Sequence, residues 1–174
     1  IVIIPTYNEK ENAEAIVRKT LSLEPAFDVL VVDDNSPDGT SVVVKDLSRE
    51  HQEVELLLRT TERGRGAAGI AGFNHALEHG ADCIIEMDSD FSHHPKYIPS
   101  MLAAIQNADM VIGSRFISGG EDVNRGIMRK VITLLAGIYV RVLLGLKIKD
   151  VSSGYRCFKR KVLEAIELDS MIST

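Results

Sequence analysis

At 174 residues the chain is one domain, or most of one, and an apolar share of 45% is enough to build a globular core. A net charge of −5 argues against a nucleic-acid partner, and a chain without Trp and with few aromatics offers little for base stacking. Cys83 and Cys157 have no metal-like spacing and read as free, buried thiols in a reducing compartment.

Ile1 to Ile4 is a continuous apolar run ended by Pro5, as expected of a strand buried on both faces. Glu11 to Leu23 has helical spacing and stops at Pro25. Val29 to Val32 is a second buried strand, followed by the turn residues Ser36-Pro37-Asp38-Gly39 and a helix from Thr40 to Glu50. Val54 to Leu58 is expected to be strand three and Gly66 to His79 its helix. Ala81 to Met87 reads as strand four, Pro95 to Asn107 as a helix, and Met110 to Ile112 as strand five. A helix from Arg125 to Leu146, a turn and short strand over Val151 to Arg156, and a helix from Arg160 to Leu168 complete the pattern. Strands alternating with helices specify an α/β fold: a mostly parallel central sheet with helices on both faces.

Ligands of such sheets bind beyond the carboxyl ends of the strands. Standing there are Pro5 to Glu9, Asp33-Asp34, Asp88 to Asp90 and Ser114-Arg115. In Glu86-Met87-Asp88-Ser89-Asp90, residues i and i+2 of an extended segment point to one side, so Asp88 and Asp90 can reach one centre. A hard divalent cation holding a diphosphate would use such a pair.

Other features have simpler explanations. Gly64-Arg65-Gly66-Ala67-Ala68-Gly69 matches G-x-G-x-x-G, but it sits in the third strand–helix unit and not directly after its strand, unlike a dinucleotide fingerprint. Asp33-Asp34 resembles the acidic pocket of a phospho-receiver domain, yet a whole strand–helix unit precedes it and Arg115, not Lys, closes strand five. His93-His94 could ligate a metal, and a polar loop entering a helix explains them equally well. His75 and His79, at i and i+4, read as a surface pair. Glu121-Asp122 read as a solvated loop or as a source of a general base. The helix carrying Arg129, Lys130 and Arg141 is apolar nearly all round. It is either buried, packed on a segment outside this chain, or lodged in a membrane interface. No run is long enough to span a bilayer. The chain opens on a strand without Met and ends in an uncapped polar run, so a fragment of a longer polypeptide is expected.

Six motifs follow one another along the chain: Ile4 to Glu9, Val32 to Thr40, Ala71 to Leu77, Met87 to Pro95, Gly113 to Phe116 and Asp150 to Arg156. Together they resemble the family-2 inverting glycosyltransferases of the GT-A fold, and within them the dolichol- or polyprenol-phosphate mannosyltransferases. The resemblance implies a nucleotide-sugar-binding core over 1–120. It implies an acceptor-side region of the same domain over 121–174, with an amphipathic, membrane-interfacial helix. Pro5, Tyr7, Glu9, Val32 and Asp34 would line the nucleotide pocket, and Gly66 and Ala68 would approach the nucleotide through their backbone. Asp88, Ser89 and Asp90 would meet the diphosphate, with Asp88 and Asp90 on Mg2+ or Mn2+. Arg115, Arg129 and Thr133 would hold the acceptor phosphate.

The implied reaction moves a sugar, mannose from GDP-mannose, onto polyprenyl or dolichyl monophosphate without a protein base. Asp88, Asp90 and Arg115 would carry the catalysis. The implied setting is cytoplasmic, peripheral at the cytosolic face of a membrane. Ser92 stands where some family members place a further metal ligand, Gln, so it joins the metal set with water completing the shell. The basic segment near the end of the family's catalytic domain does not occur in this chain. The absence of Trp excludes the Gln-x-x-Arg-Trp signature of processive synthases. Three alternatives stay open: a glucosyl- or other glycosyltransferase on lipid phosphate, one acting on a hydroxyl with Glu121 or Asp122 as base, or a non-catalytic nucleotide-sugar-binding module.

Overall fold

The computed structural model describes residues 1–61, 63–117, 127–145, 148, 150 and 152–171. Its elements are β1 (Val2–Thr6), α1 (Lys10–Leu21), β2 (Val29–Asp33), α2 (Thr40–Glu50), β3 (Val54–Leu58), α3 (Arg65–Glu78) and β4 (Cys83–Glu86). After them come α4 (Ile98–Ile105), entered through a 3-10 turn at Pro95–Tyr97, then β5 (Met110–Ile112), α5 (Ile127–Leu144), β6 (Arg156–Lys159) and α6 (Arg160–Glu164).

The strands form one sheet in the order β3-β2-β1-β4-β6-β5. β1, β2, β3 and β4 pair in parallel, while β6 runs antiparallel between β4 and β5. β5 therefore points the same way as β4, and the ends of β1, β2, β4 and β5 open on one edge. The antiparallel β6 is what makes the sheet mostly, and not wholly, parallel. Departures from the expected boundaries are local. Pro5 does not end β1, which continues to Thr6; the parallel register pairs Pro5 with Val32. The late strand lies at Arg156–Lys159, after the Ser152 to Tyr155 turn instead of within it.

Alternation along the strands accounts for both helical layers. Val2, Ile4, Val29 and Val31 face Ala13, Ile16 and Val17 of α1, Val44 and Leu47 of α2, and Ile98, Met101 and Ile105 of α4. Ile3, Leu30, Val32 and Ile84 face Ala68 and Ala76 of α3 and Leu163 of α6. A sheet buried on both faces needs the unbroken apolar runs that β1 and β2 show.

The second layer depends on a close approach at Gly72. A Cβ placed there would lie 2.6 Å from Ile3 Cγ2 and 3.3 Å from Val32 Cγ2. Gly72→Ala would gain about 1 kcal/mol of helix propensity. Overpacking against a fully buried, branched strand residue costs about 1–3 kcal/mol. A net loss of about 1–2 kcal/mol is expected, read as a lower denaturant midpoint with an unchanged slope. An unchanged or higher midpoint would show that α3 shifts freely on the sheet.

The described part of α5 is not buried. Met128, Leu135, Ile138, Tyr139, Val142, Leu143 and Leu144 are exposed. Those side chains are thus not buried by the described residues of this chain. Among the described residues no helix is long and apolar enough to cross a membrane.

Candidate active site

The loop after β1 is locked to the loop after β2 before any ligand is considered. Three successive backbone N–H groups at the start of α1 donate to side chains of the second loop: Asn8 to Ser36 Oγ (2.9 Å), Glu9 to Thr40 Oγ1 (3.0 Å) and Lys10 to Asp38 Oδ2 (3.0 Å). These are donors that a helix start leaves without partners in its own ladder. Asp33, fully buried, accepts from Thr6 Oγ1 (3.0 Å), Ser36 Oγ (2.6 Å) and Ser36 N (2.9 Å). Asp33 is thus a structural tie, while its neighbour Asp34 faces the cavity.

That cavity, about 540 Å3, is lined by Pro5, Thr6, Tyr7, Glu9, Asp34, Arg63, Gly64, Arg65, Ala68, Asp88, Ser89 and Asp90. Asp34 is held by the Arg59 guanidinium and by the backbone N–H of Gly64 at 2.8 Å. Opposite, the Arg63 guanidinium lies 5.6 Å from the centre of the Tyr7 ring. The N-terminus of the 14-residue α3 opens here, with Gly64, Arg65 and Ala68 on the cavity wall, and brings the positive end of its dipole to the cavity.

β4 ends at Glu86, so Asp88 and Asp90 stand in the loop beyond it instead of on the strand, and both still line the cavity. Asp90 Oδ1 accepts from Ser92 N (2.9 Å) around Phe91, a bulky residue at φ +61°. A left-handed conformation at such a residue stores on the order of 1–3 kcal/mol. Arg65 joins Asp88 to the buried Glu86, with Nη2 2.6 Å from Asp88 Oδ1 and Nη1 2.5 Å from Glu86 Oε1. His93 Nδ1 accepts from Asp88 N (3.0 Å), and its ring stacks on Tyr155 with centroids 5.0 Å apart. Burial pushes the His93 imidazole below its ordinary range, outweighing the pull of Asp88 and Asp90. A neutral ring at pH 7 suits a wedge that accepts a backbone N–H. Gly154 completes the packing: a Cβ there would come 3.2 Å from Arg65 Nη2 and 3.4 Å from His93 Cε1.

The carboxylates of Asp88 and Asp90 offer only oxygen, the donor set of a hard dication such as Mg2+ or Mn2+. Arg65 offsets only one of the three carboxylates gathered here, Glu86, Asp88 and Asp90, and the remaining negative charge suits a dication. His94 is committed elsewhere, its Nδ1 accepting from Lys96 N to cap the 3-10 turn.

Beyond His93, Arg115 follows β5. Its Nε donates to Asp150 Oδ2 at 3.2 Å, and Ser152 Oγ donates to Asp150 Oδ1 at 3.0 Å. Burial opposes ionisation of Asp150, yet the hydrogen bonds from Arg115 and Ser152 outweigh it and hold the carboxyl below the usual range. Asp150 thus stays charged and fixes Arg115.

Pro5, Tyr7, Glu9, Asp34, Ala68, Asp88, Ser89 and Asp90 come together around the cavity. Val32 is fully buried and faces α3, and Gly66 is exposed in the first turn of that helix. Ser92 takes part through its backbone N–H and is not among the lining residues. The side chains of Arg129 and Thr133, and residues Glu121 and Asp122, lie outside the described residues. Residue reading missed Arg65, Glu86, Arg63 and Asp150. Its available clue was Glu86, a charge inside a buried apolar run that requires a cationic partner.

The chain is 44% identical over 173 residues to an undecaprenyl-phosphate mannosyltransferase of Micrococcus luteus, covering 99% of this chain and 71% of that protein. It is 42% identical to a polyprenol monophosphomannose synthase of Mycolicibacterium smegmatis, covering 99% and 66%. With a dolichol-phosphate mannosyltransferase of Pyrococcus furiosus it shares 38% identity, covering 97% and 48%. It thus spans between about half and seven-tenths of these relatives' lengths. Among solved structures, a mannosyltransferase from Pyrobaculum calidifontis in complex with GDP-Man and Mn2+ has the same fold. That match has a TM-score of 0.63 at 21% identity, over 95% of this chain and 46% of that one. A glucosyl-3-phosphoglycerate synthase from Mycobacterium tuberculosis matches with a TM-score of 0.68 at 18% identity, over 92% and 56%. The profile of glycosyl transferase family 2 matches residues 1–167, and with these identities the chain belongs to that family.

Proposed function

We propose that this chain is the catalytic part of an inverting glycosyltransferase that moves mannose from GDP-mannose onto a polyprenyl or dolichyl monophosphate. The observation that carries the reading is the cavity. It joins an acidic pair, a helix N-terminus and a guanidinium in one corner, in a chain whose relatives named above are lipid-phosphate mannosyltransferases.

Pro5, Tyr7, Glu9 and Asp34 form the nucleotide end, with Val32 supporting it from below and Gly66 and Ala68 on the α3 side. The α3 N-terminus and Ser89 face the diphosphate. Asp88 and Asp90 would hold Mg2+ or Mn2+, which supplies Lewis-acid neutralisation of the departing diphosphate. Arg115, steadied by Asp150, orients the acceptor phosphate together with Arg129 and Thr133. A guanidinium fork suits that task. The acceptor's oxygens are already anionic near neutral pH, so no protein base is needed, and in-line attack inverts the anomeric carbon.

The exposed apolar residues of α5 support a seat for the lipid tail at the cytosolic face of a membrane. With Mn2+ present, the chain extended to its relatives' length should release GDP from GDP-mannose only when a polyprenyl phosphate is added. Turnover with UDP-glucose instead would reassign the donor. Metal-dependent donor binding without turnover on any acceptor would make it a binding module.

A further inference from the structure

Outside the cavity, the described residues gather one other set of ligand atoms. Glu55 lies on β3, the outermost strand, and His75 and His79 lie one turn apart at the end of α3. One ligand atom from each residue lies within 4.8 Å of the other two. His75 Nε2 is 2.9 Å from Glu55 Oε2, and the two imidazole rings stack with centroids 4.0 Å apart. His79 Nδ1 lies 2.8 Å from the carbonyl oxygen of His75. A carbonyl only accepts, so His79 Nδ1 carries the hydrogen, and in the neutral ring Nε2 is left with its lone pair. A backbone carbonyl fixing the tautomer in this way is the outer-sphere support that metal-binding histidines use.

We propose that Glu55, His75 and His79 form a second metal site, for a borderline dication of the Zn2+ class, with water completing its coordination. Two imidazoles and one carboxylate suit Zn2+, while Mg2+ and Mn2+ favour oxygen sets such as Asp88 and Asp90. The hydrogen bond between His75 and Glu55 preorganises the pair; on binding, the neutral His75 ring takes the tautomer with its hydrogen on Nδ1, so that Nε2 offers its lone pair beside the Glu55 carboxylate. Neighbouring ligands on tetrahedral Zn2+ stand about 3.4 Å apart, given bonds near 2.1 Å. Glu55 is exposed and can swing inwards to close the set, His79 is held by its carbonyl hydrogen bond, and the His75 side chain, 13% exposed, is the anchor.

The site lies near the start of β3 and the end of α3, so it sits at the sheet edge opposite the cavity. A bound ion would clamp the edge strand to its covering helix.

The test titrates Zn2+ calorimetrically into protein carrying Asp88→Asn and Asp90→Asn, which removes the cavity acids from the reading. One equivalent should bind and raise the melting temperature, and Mg2+ at the same concentration should do neither. His79→Ala, at an exposed helix end, should weaken binding at least about tenfold and abolish the thermal shift, and His75→Ala should do the same. No saturable Zn2+ binding, or binding that His79→Ala leaves unchanged, would overturn the proposal.

Discussion

Asp90→Asn should leave the fold intact and remove metal-dependent donor binding. Asn keeps the oxygen that accepts from Ser92 N, so the turn around Phe91 survives. The side chain is exposed, so a stability change within about 0.5 kcal/mol is expected. What disappears is one of the two negative charges that would hold the dication in the proposed site. Loss of one preorganised electrostatic contact costs about 3–4 kcal/mol in the transition state, or roughly 10²–10³ in turnover. Donor titration with Mn2+ and with a chelator separates the two effects. Wild-type protein should lose affinity on chelation. The variant should already be weak and respond little. A variant with wild-type donor affinity that chelation still abolishes would remove Asp90 from the metal site.

The same corner shows what could be read from residues alone. β1 and β2 were legible because both faces of a covered sheet require continuous apolar runs, and their polar ends marked the cavity rim. β6 was not. Arg156-Cys157-Phe158-Lys159 is four residues with a charge at each end, and its place is set by the strands on either side. Strand position left Asp33 and Asp34 together at the rim, and only the family resemblance singled out Asp34. Their roles diverge because Asp33 is absorbed by Ser36, three residues on in its own loop, and by Thr6, which arrives from the end of β1. Arg65 was hidden inside a glycine motif resembling a dinucleotide loop. The glycines do matter, though for another reason: a Cβ at Gly69 would lie 2.8 Å from Glu86 Oε1, so a small residue leaves room for the Arg65–Glu86 pair.

Arg65 is where stability and binding divide. Three carboxylates, Glu86, Asp88 and Asp90, meet in this corner, and one dication bound there as proposed would leave a negative charge for Arg65 to neutralise. Without Arg65 the donor's diphosphate would enter a site with excess negative charge. Two unit charges 4 Å apart at an effective dielectric near 20 interact by about 4 kcal/mol. Arg65→Ala should therefore raise the donor Kd by roughly 10–100-fold, the worth of a charge-assisted contact. It should also cost about 1–3 kcal/mol of folding stability, because Glu86, only 5% exposed, loses its cation. Adding Glu86→Gln removes that stranded charge. The double variant should regain at least half of the lost stability while donor affinity stays low. If affinity returned together with stability, Arg65 would be a scaffold for Glu86 and no part of the donor site. If Arg65→Ala instead tightened donor binding, the guanidinium would be a plug that the metal must displace.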